Sequence, residues 1–206
     1  MQTLLIETAG IALAAYALGS VSFAVVVSKA MGLPDPHSYG SKSPGATNVL
    51  RTGNKLAAAL TLLGDAGKGA LAVLLAVLYT GESPVFGFDA PLAGVMAFLG
   101  HLFPVFHRFK GGKGVATAAG VLLALNVWLG IAALSTFGII VLFFRKVSLA
   151  SIVSALFAVY YSFFLFGDRP ITFVVGAMAL LLIWRHRENV ERLLRGTEPR
   201  LGEKKT

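Results

Sequence analysis

Cysteine is missing from all 206 residues, which removes disulfides, thiolate metal sites and any thioester-forming nucleophile. Charge is sparse: Asp, Glu, Lys and Arg make up 14% of the chain, where soluble domains carry about 25%. So little polar material cannot cover a water-facing surface. An ordinary cytosolic enzyme, a disordered chain and a nucleic-acid-binding module are therefore excluded. Acidic residues are the scarcer sign, 10 against 18 Lys and Arg, for a formal net charge of +8. In excess are apolar residues, at 56%, with a mean hydropathy of +0.75. In such a chain, basic residues hold cytoplasmic loops against an anionic leaflet rather than binding nucleic acid. The class implied is an all-α polytopic transmembrane helix bundle, one domain by length, without an internal repeat.

The apolar runs give the spans. Residues 4–27 are apolar apart from Glu7 and a few hydroxyls, and about 36 Å of helix crosses a bilayer with some tilt. No basic residue precedes this run and Lys29 follows it, unlike a cleaved signal peptide. Further runs cover 56–79, interrupted by Asp65 and Lys68, then 90–106, 115–144, 149–166 and 171–184. The stretch 115–144 holds thirty residues without a charge. Taken whole it gives six crossings; broken near Asn126 it gives seven.

The charges choose between these. With seven crossings, Lys29, Lys42, Arg51, Lys55, Arg108, Lys110, Lys113, Arg145, Lys146 and every Lys and Arg from Arg185 onward share one side, sixteen of the 18. Lys68 is intramembrane, and Arg169 lies opposite with Glu7, Glu82, Asp89 and Asp168. The positive-inside rule then puts the N-terminus outside and the C-terminus in the cytoplasm. The fourth segment, Val115–Leu125, is short at about 17 Å of helical rise, as expected of a half-span buried in protein.

Three polar clusters fall on the cytoplasmic side. The first, residues 39–51, offers Ser41, Ser43, Thr47 and Asn48 as hydrogen-bonding groups and Lys42 and Arg51 as cations, with two glycines and Pro44 fixing turns. Its plainer reading is a solvated loop. The second, residues 101–117, sets Gly111, Gly112 and Gly114 around Lys113 immediately before an apolar helix. Exposed N–H groups, a helix dipole and a lysine charge suit an anion there. It is no Walker loop, because no glycine stands five residues before Gly112 and Gly114 follows Lys113 where Ser or Thr is required. Its plainer reading is a basic membrane-anchoring turn.

The third cluster, residues 185–195, puts His186, Asn189, Val190 and Leu193 on one helical face. Val190 and Leu193 should seek the bundle and turn His186 and Asn189 inward. Glu188–Arg192 and Glu191–Arg195 are spaced as i,i+4 pairs on the solvated side. Gly196 ends the helix, so 1–196 is expected as the single membrane domain and 197–206 as a polar, disordered cytoplasmic tail. Elsewhere, Asp65 and Lys68 are one turn apart inside a span and read as a structural ion pair before a substrate contact. Ser148 and Ser151 read as N-caps before ligands. Gly94, Gly100, Ala116 and Gly120 read as close-packing positions between helices.

The loop GSKSPGATNVLR (40–51), the run GHLFPVFHRFKGGKGVAT (100–117) and the exit helix WRHRENVERLL (184–194) resemble the bacterial acyl-phosphate-dependent glycerol-3-phosphate acyltransferases, which are small integral membrane proteins. VSLASI (147–152), GDAGKG (64–69) and the span pattern extend the likeness over nearly the whole chain. Most relatives read GSGN where this chain has Gly40-Ser41-Lys42-Ser43, so Ser41 is carried over and Lys42 and Ser43 are not. The resemblance implies seven spans and a cytoplasmic C-terminus in the bacterial inner membrane. It further implies acyl transfer from acyl phosphate to the 1-hydroxyl of glycerol 3-phosphate, yielding lysophosphatidic acid and phosphate. The site residues it carries over are Ser41, Thr47, Asn48, Arg51, Lys113, Ser151, His186 and Asn189, joined by the cradle glycines Gly111, Gly112 and Gly114.

Both substrates would present phosphates, and one a long acyl chain, so the site must grip two anions beside lipid. Arg51 suits bidentate binding and Lys113 a point charge. Acyl phosphate is a mixed anhydride whose phosphate leaves readily, so direct attack without an acyl-enzyme is expected. His186, Lys113 and Asn189 are the catalytic candidates, with His186 or a substrate phosphate oxygen as base. No cofactor and no metal are expected, no group of acids and histidines having ligand spacing. A functional monomer is expected, in contact with membrane lipid.

Rivals remain. The His-x4-Asp arrangement of other acyltransferases is missing, since His37, His101 and His107 have Lys42, Phe106 and Gly112 five positions on, and His186 has Glu191. A carrier for a phosphorylated metabolite would suit a basic site in a small bundle, but the clusters gather at one face and no inverted repeat is visible. A purely structural membrane subunit would tolerate loss of Lys113 and Arg51.

Overall fold

The computed structural model describes residues 2–202, which fold as helices with no strand among them. In order these are α1 (Gln2–Gly19), α2 (Phe23–Ala30), α3 (Ala46–Val49), α4 (Lys55–Thr80), α5 (Asp89–Leu102), α6 (Val115–Leu125), α7 (Val127–Phe144), α8 (Val147–Phe166), α9 (Pro170–Arg185) and α10 (Arg187–Leu194). Five stretches are long and apolar enough to cross a membrane: Leu4–Ala30, Lys55–Thr80, Asp89–His107, Val127–Phe144 and Val147–Phe166. Val115–Leu125 and Pro170–Arg185 are shorter apolar helices. Large side chains such as Leu78, Leu142, Phe143 and Leu180 face outward, while the core is rich in alanine. Lipid rather than water suits that outer surface.

Small residues bring the helices together. A Cβ on Gly19 would fall on the Ala97 backbone, and one on Gly100 on the Tyr16 carbonyl, so α1 and α5 meet backbone to backbone. Gly69 against Thr117 and Gly120 against Ala66 do the same for α4 and α6. With lipid as solvent, such close approach supplies the dispersion contact that holds a bundle together.

The breaks are equally local. The uncharged stretch stops at Asn126, whose extended backbone ends α6 and whose Oδ1 accepts from Leu129 N–H at 3.0 Å to cap α7. Asn54 caps α4 in the same way, accepting from Ala57 N–H at 2.9 Å. The first span differs from the continuous helix expected over 4–27. It opens at Ser20–Ser22, where the Ser20 hydroxyl turns back to the Tyr16 carbonyl at 2.9 Å and the Val21 carbonyl is taken by the Lys68 ammonium at 2.6 Å. A charged donor satisfies the backbone oxygen that the opening frees.

The C-terminal segment also departs from expectation. Thr197–Gly202 was expected to be disordered, yet Glu198 is 9% exposed and Leu201 N–H donates to the Arg145 carbonyl at 2.6 Å. The reason is a buried set of donors that a carboxylate can satisfy, described below. Residues 203–206 of the expected tail lie outside the described residues.

Candidate active site

The glycine-rich turn is shaped by what closes on it. Gly114, at φ +83°, ends the turn in the left-handed region and stands as N-cap of α6, a conformation a side chain would strain. The Gly112 N–H donates to the His101 carbonyl at 3.2 Å. Arg185, at the end of α9, donates from Nε to the Gly112 carbonyl at 3.0 Å and from Nη2 to the Gly111 carbonyl at 2.7 Å. Among the described residues, nothing takes the N–H groups of Lys113 and Gly114, which with the first turn of α6 make a positive helix terminus.

Lys113 joins this turn to the exit helix: its ammonium donates to Asn189 Oδ1. The other end of that amide donates to Glu198 Oε1 at 2.6 Å. Glu198 also accepts from the Ser148 hydroxyl at 2.6 Å and from Arg192 Nε at 2.7 Å. Ser148 is therefore a tail-binding hydroxyl rather than an N-cap. Ser151 is 1% exposed and donates to the Val147 carbonyl at 2.8 Å; the N-cap of α8 is Lys146. Of the two expected ion pairs on α10, Glu191–Arg195 forms at 2.6 Å, but Arg192 turns to Glu198 instead of Glu188. A buried carboxylate with two further donors is the better partner for a guanidinium.

His186 and Asn189 are both buried, on the inward face expected of them. His186 Nδ1 lies 2.8 Å from the Leu182 carbonyl. A carbonyl can only accept, so Nδ1 carries the proton and Nε2 presents its lone pair. Burial lowers the His186 pKa to about 4, against the opposing pull of the Leu182 carbonyl and with help from the Lys113 charge. Burial, with the Arg192 charge, lowers Lys113 to about 8. For Glu198, burial would raise the pKa, but the hydrogen bonds from Ser148, Asn189 and Arg192 prevail and lower it.

The first loop closes over the same turn. The Pro44 carbonyl and the His101 ring both crowd Gly112, where a Cβ would meet them, and His37 Nε2 lies 3.0 Å from the Lys110 carbonyl. Within the loop, Asn48 is 3% exposed and fully engaged: Oδ1 accepts from Ser41 N–H at 3.0 Å and from its hydroxyl at 3.3 Å, while Nδ2 donates to the Pro36 and Tyr39 carbonyls. Its geometry is that of a loop organiser acting through Ser41. Gly40, at φ +60°, leaves room for the Arg51 side chain, and Ser41, Thr47 and Arg51 remain exposed at the surface of the cluster.

The structure thus gathers Gly111, Gly112, Lys113, Gly114, His186 and Asn189 tightly, with the first loop against them and Ser151 one turn beyond Ser148. Sequence reasoning missed Glu198, Arg185 and His101. Glu198 was legible only as one of two acids, with Glu203, after Gly196, and Arg185 was hidden among neighbouring basic residues.

Comparison with known proteins bears on these groups. A family model described as glycerol-3-phosphate acyltransferase matches residues 9–196. A protein of that name from Ralstonia nicotianae is 60% identical over 200 residues, 97% of each chain. Another from Burkholderia thailandensis is 62% identical over 195 residues, 94% of this chain and 95% of its own. Among solved structures, the glycerol 3-phosphate form of PlsY, an integral membrane glycerol 3-phosphate acyltransferase, superposes with a TM-score of 0.87 at 38% identity, covering 95% of this chain and 96% of that one. The lysophosphatidic acid form of PlsY gives 0.86 at 37% identity.

Proposed function

The chain belongs to the glycerol-3-phosphate acyltransferase family, and we propose that it transfers an acyl group from acyl phosphate to the 1-hydroxyl of glycerol 3-phosphate, releasing lysophosphatidic acid and phosphate. The observation that carries this reading is the Lys113–Asn189 contact, which places a lysine at a helix N-terminus beside a histidine with a free Nε2. The 1-hydroxyl oxygen bonds to the acyl carbon, the carbon–oxygen bond to phosphate breaks, and phosphate leaves with that electron pair. The hydroxyl proton passes to a base. Lys113 and the N–H groups of Lys113 and Gly114 stabilise the negative charge that moves from carbonyl to phosphate, and Asn189 holds the ammonium in place.

With a pKa of about 4, His186 is neutral at pH 7 and orients the hydroxyl through Nε2. A substrate phosphate oxygen, second pKa about 6, is the stronger base of the two. Ser41, Thr47 and Arg51 bind the phosphate and glycerol oxygens from the first loop, with Asn48 fixing Ser41. Ser151 lines the α8 side, and Gly111, Gly112 and Gly114 complete the anion seat. The arrangement suits a bacterial cytoplasmic membrane protein with seven crossings, acting as a monomer, its N-terminus outside and its site and C-terminus facing the cytoplasm, through one membrane domain against which Thr197–Gly202 docks.

The test is a purified-protein assay. Phosphate release that requires both acyl phosphate and glycerol 3-phosphate supports the proposal. Release without glycerol 3-phosphate, or transport of a phosphorylated metabolite into sealed vesicles without chemistry, overturns it.

A further inference from the structure

Asp65, Lys68 and His101 lie 2%, 3% and 8% exposed in the interior of the bundle. The Asp65 carboxylate stands 2.9 Å from the Lys68 ammonium and 3.5 Å from His101 Nδ1. Lys68 spends a further donor on the Val21 carbonyl at the opening between α1 and α2. An ion pair at that depth is costly, and apolar residues of equal volume would fill the space. What apolar residues cannot do is favour one form of an imidazole: a carboxylate at ion-pair distance from Nδ1 favours the tautomer with its proton on that nitrogen.

The opposite edge of that ring faces the glycine-rich turn. A Cβ on Gly112 would overlap His101 Nε2, and the His101 carbonyl accepts the Gly112 N–H at 3.2 Å. His101 therefore meets Gly112 with both its side chain and its backbone. From the other side Arg185 holds the carbonyls of Gly111 and Gly112 in its fork. Two carbonyls are turned to the guanidinium and one N–H to His101, which leaves the N–H groups of Lys113 and Gly114 without a protein acceptor among the described residues. We infer that His101, oriented by the Asp65–Lys68 pair, and Arg185 are positioning residues that clamp the glycine-rich turn from two sides in its anion-receiving shape. This rests on the reading that the turn receives a substrate phosphate.

Two conservative variants test it in the purified enzyme. In His101→Asn the side-chain amide can still donate to Asp65, so no buried charge is stranded, but the ring edge against Gly112 is gone. Arg185→Lys keeps the charge and loses the fork. Each should raise the KM of at least one phosphate substrate by about tenfold, with kcat within about threefold and the melting temperature moved by only a few degrees. The double variant should fall short of the product of the two single effects, because both act on the same turn. Unchanged KM for both substrates, or parallel loss of kcat and melting temperature, overturns the inference. Should His101→Asn fail to fold, Arg185→Lys decides alone by the same readouts. Lys113→Ala separates the two levels: if it too is silent, the phosphate seat itself is misplaced, whereas a Lys113 effect beside silent His101→Asn and Arg185→Lys sinks only the clamp.

Discussion

At the scale of single residues, burial sets the chemistry. Lys113 titrates at about 8, so its charge is lost as pH rises through that value, and with it the grip on an anion. We expect kcat/KM to fall on an alkaline limb near pH 8; a profile flat to pH 10 would count against Lys113 as the anion's partner. Lys113→Ala should lower kcat/KM by about a hundredfold or more, as expected for a lost transition-state charge in a dry site. His186→Ala should cost less, about tenfold, if a substrate phosphate takes the proton. Turnover abolished by His186→Ala alone would return the imidazole to the role of base. The same burial acts on stability. His186 has a folded pKa of about 4 against 6.5 unfolded, so the unfolded chain takes up the proton first as pH falls. Stability should therefore decline below pH 6.5 and level off near 4, by about 3 kcal/mol at most from this residue. Glu198, held below its usual range, loses its contribution lower still, as pH falls from its unfolded pKa of 4.5 through its depressed folded value. Thermal unfolding in detergent against pH measures the sum, and His186→Gln should flatten it.

At the scale of elements, what could be read from the chain was what depends on local composition. Polar Asn126 in an uncharged run marks the junction of α6 and α7, because an Asx side chain offers the cap that an apolar one cannot. The opening at Ser20–Ser22 was hidden, since serine is ordinary within a span and the reason for the break, a lysine on α4, is 47 residues away. The inward turn of His186 and Asn189 followed from helical spacing. Their partners did not, because Glu198 reaches Ser148 and Asn189 only through tertiary folding. The docking of the C-terminal segment is accordingly a property to test. Glu198→Ala leaves Ser148, Asn189 and Arg192 without their shared acceptor, and stranding the buried Ser148 and Asn189 costs about 1–3 kcal/mol each, while the half-exposed Arg192 turns to water. We expect a lower melting temperature and a weaker KM together, since Asn189 is then free to release Lys113. A variant lacking only residues 203–206 serves as the control and should resemble the parent.

At the scale of the whole molecule, the charge distribution decides which way the protein sits. The chain has no cysteine, so single-cysteine variants can be labelled without background. Arg108→Cys beside the glycine-rich turn and Arg195→Cys on α10 should both resist an impermeant reagent added outside intact cells, and Ser83→Cys in the α4–α5 connection should react. Reaction of Arg108→Cys and Arg195→Cys from different sides would separate the turn from the exit helix and remove the common site.

The lengths of two helices carry a last consequence. α6 has 11 residues and α9 has 16, or about 17 and 24 Å of rise, where the hydrocarbon region measures about 30 Å. In a seven-crossing arrangement the protein is thinner on the flank bounded by α9 than on that of α4, with its 26 residues. The surrounding leaflets would have to pinch there, so short-chain lipids should gather along one side of the enzyme and its own acyl products would enter an already uneven, locally compressed sheet.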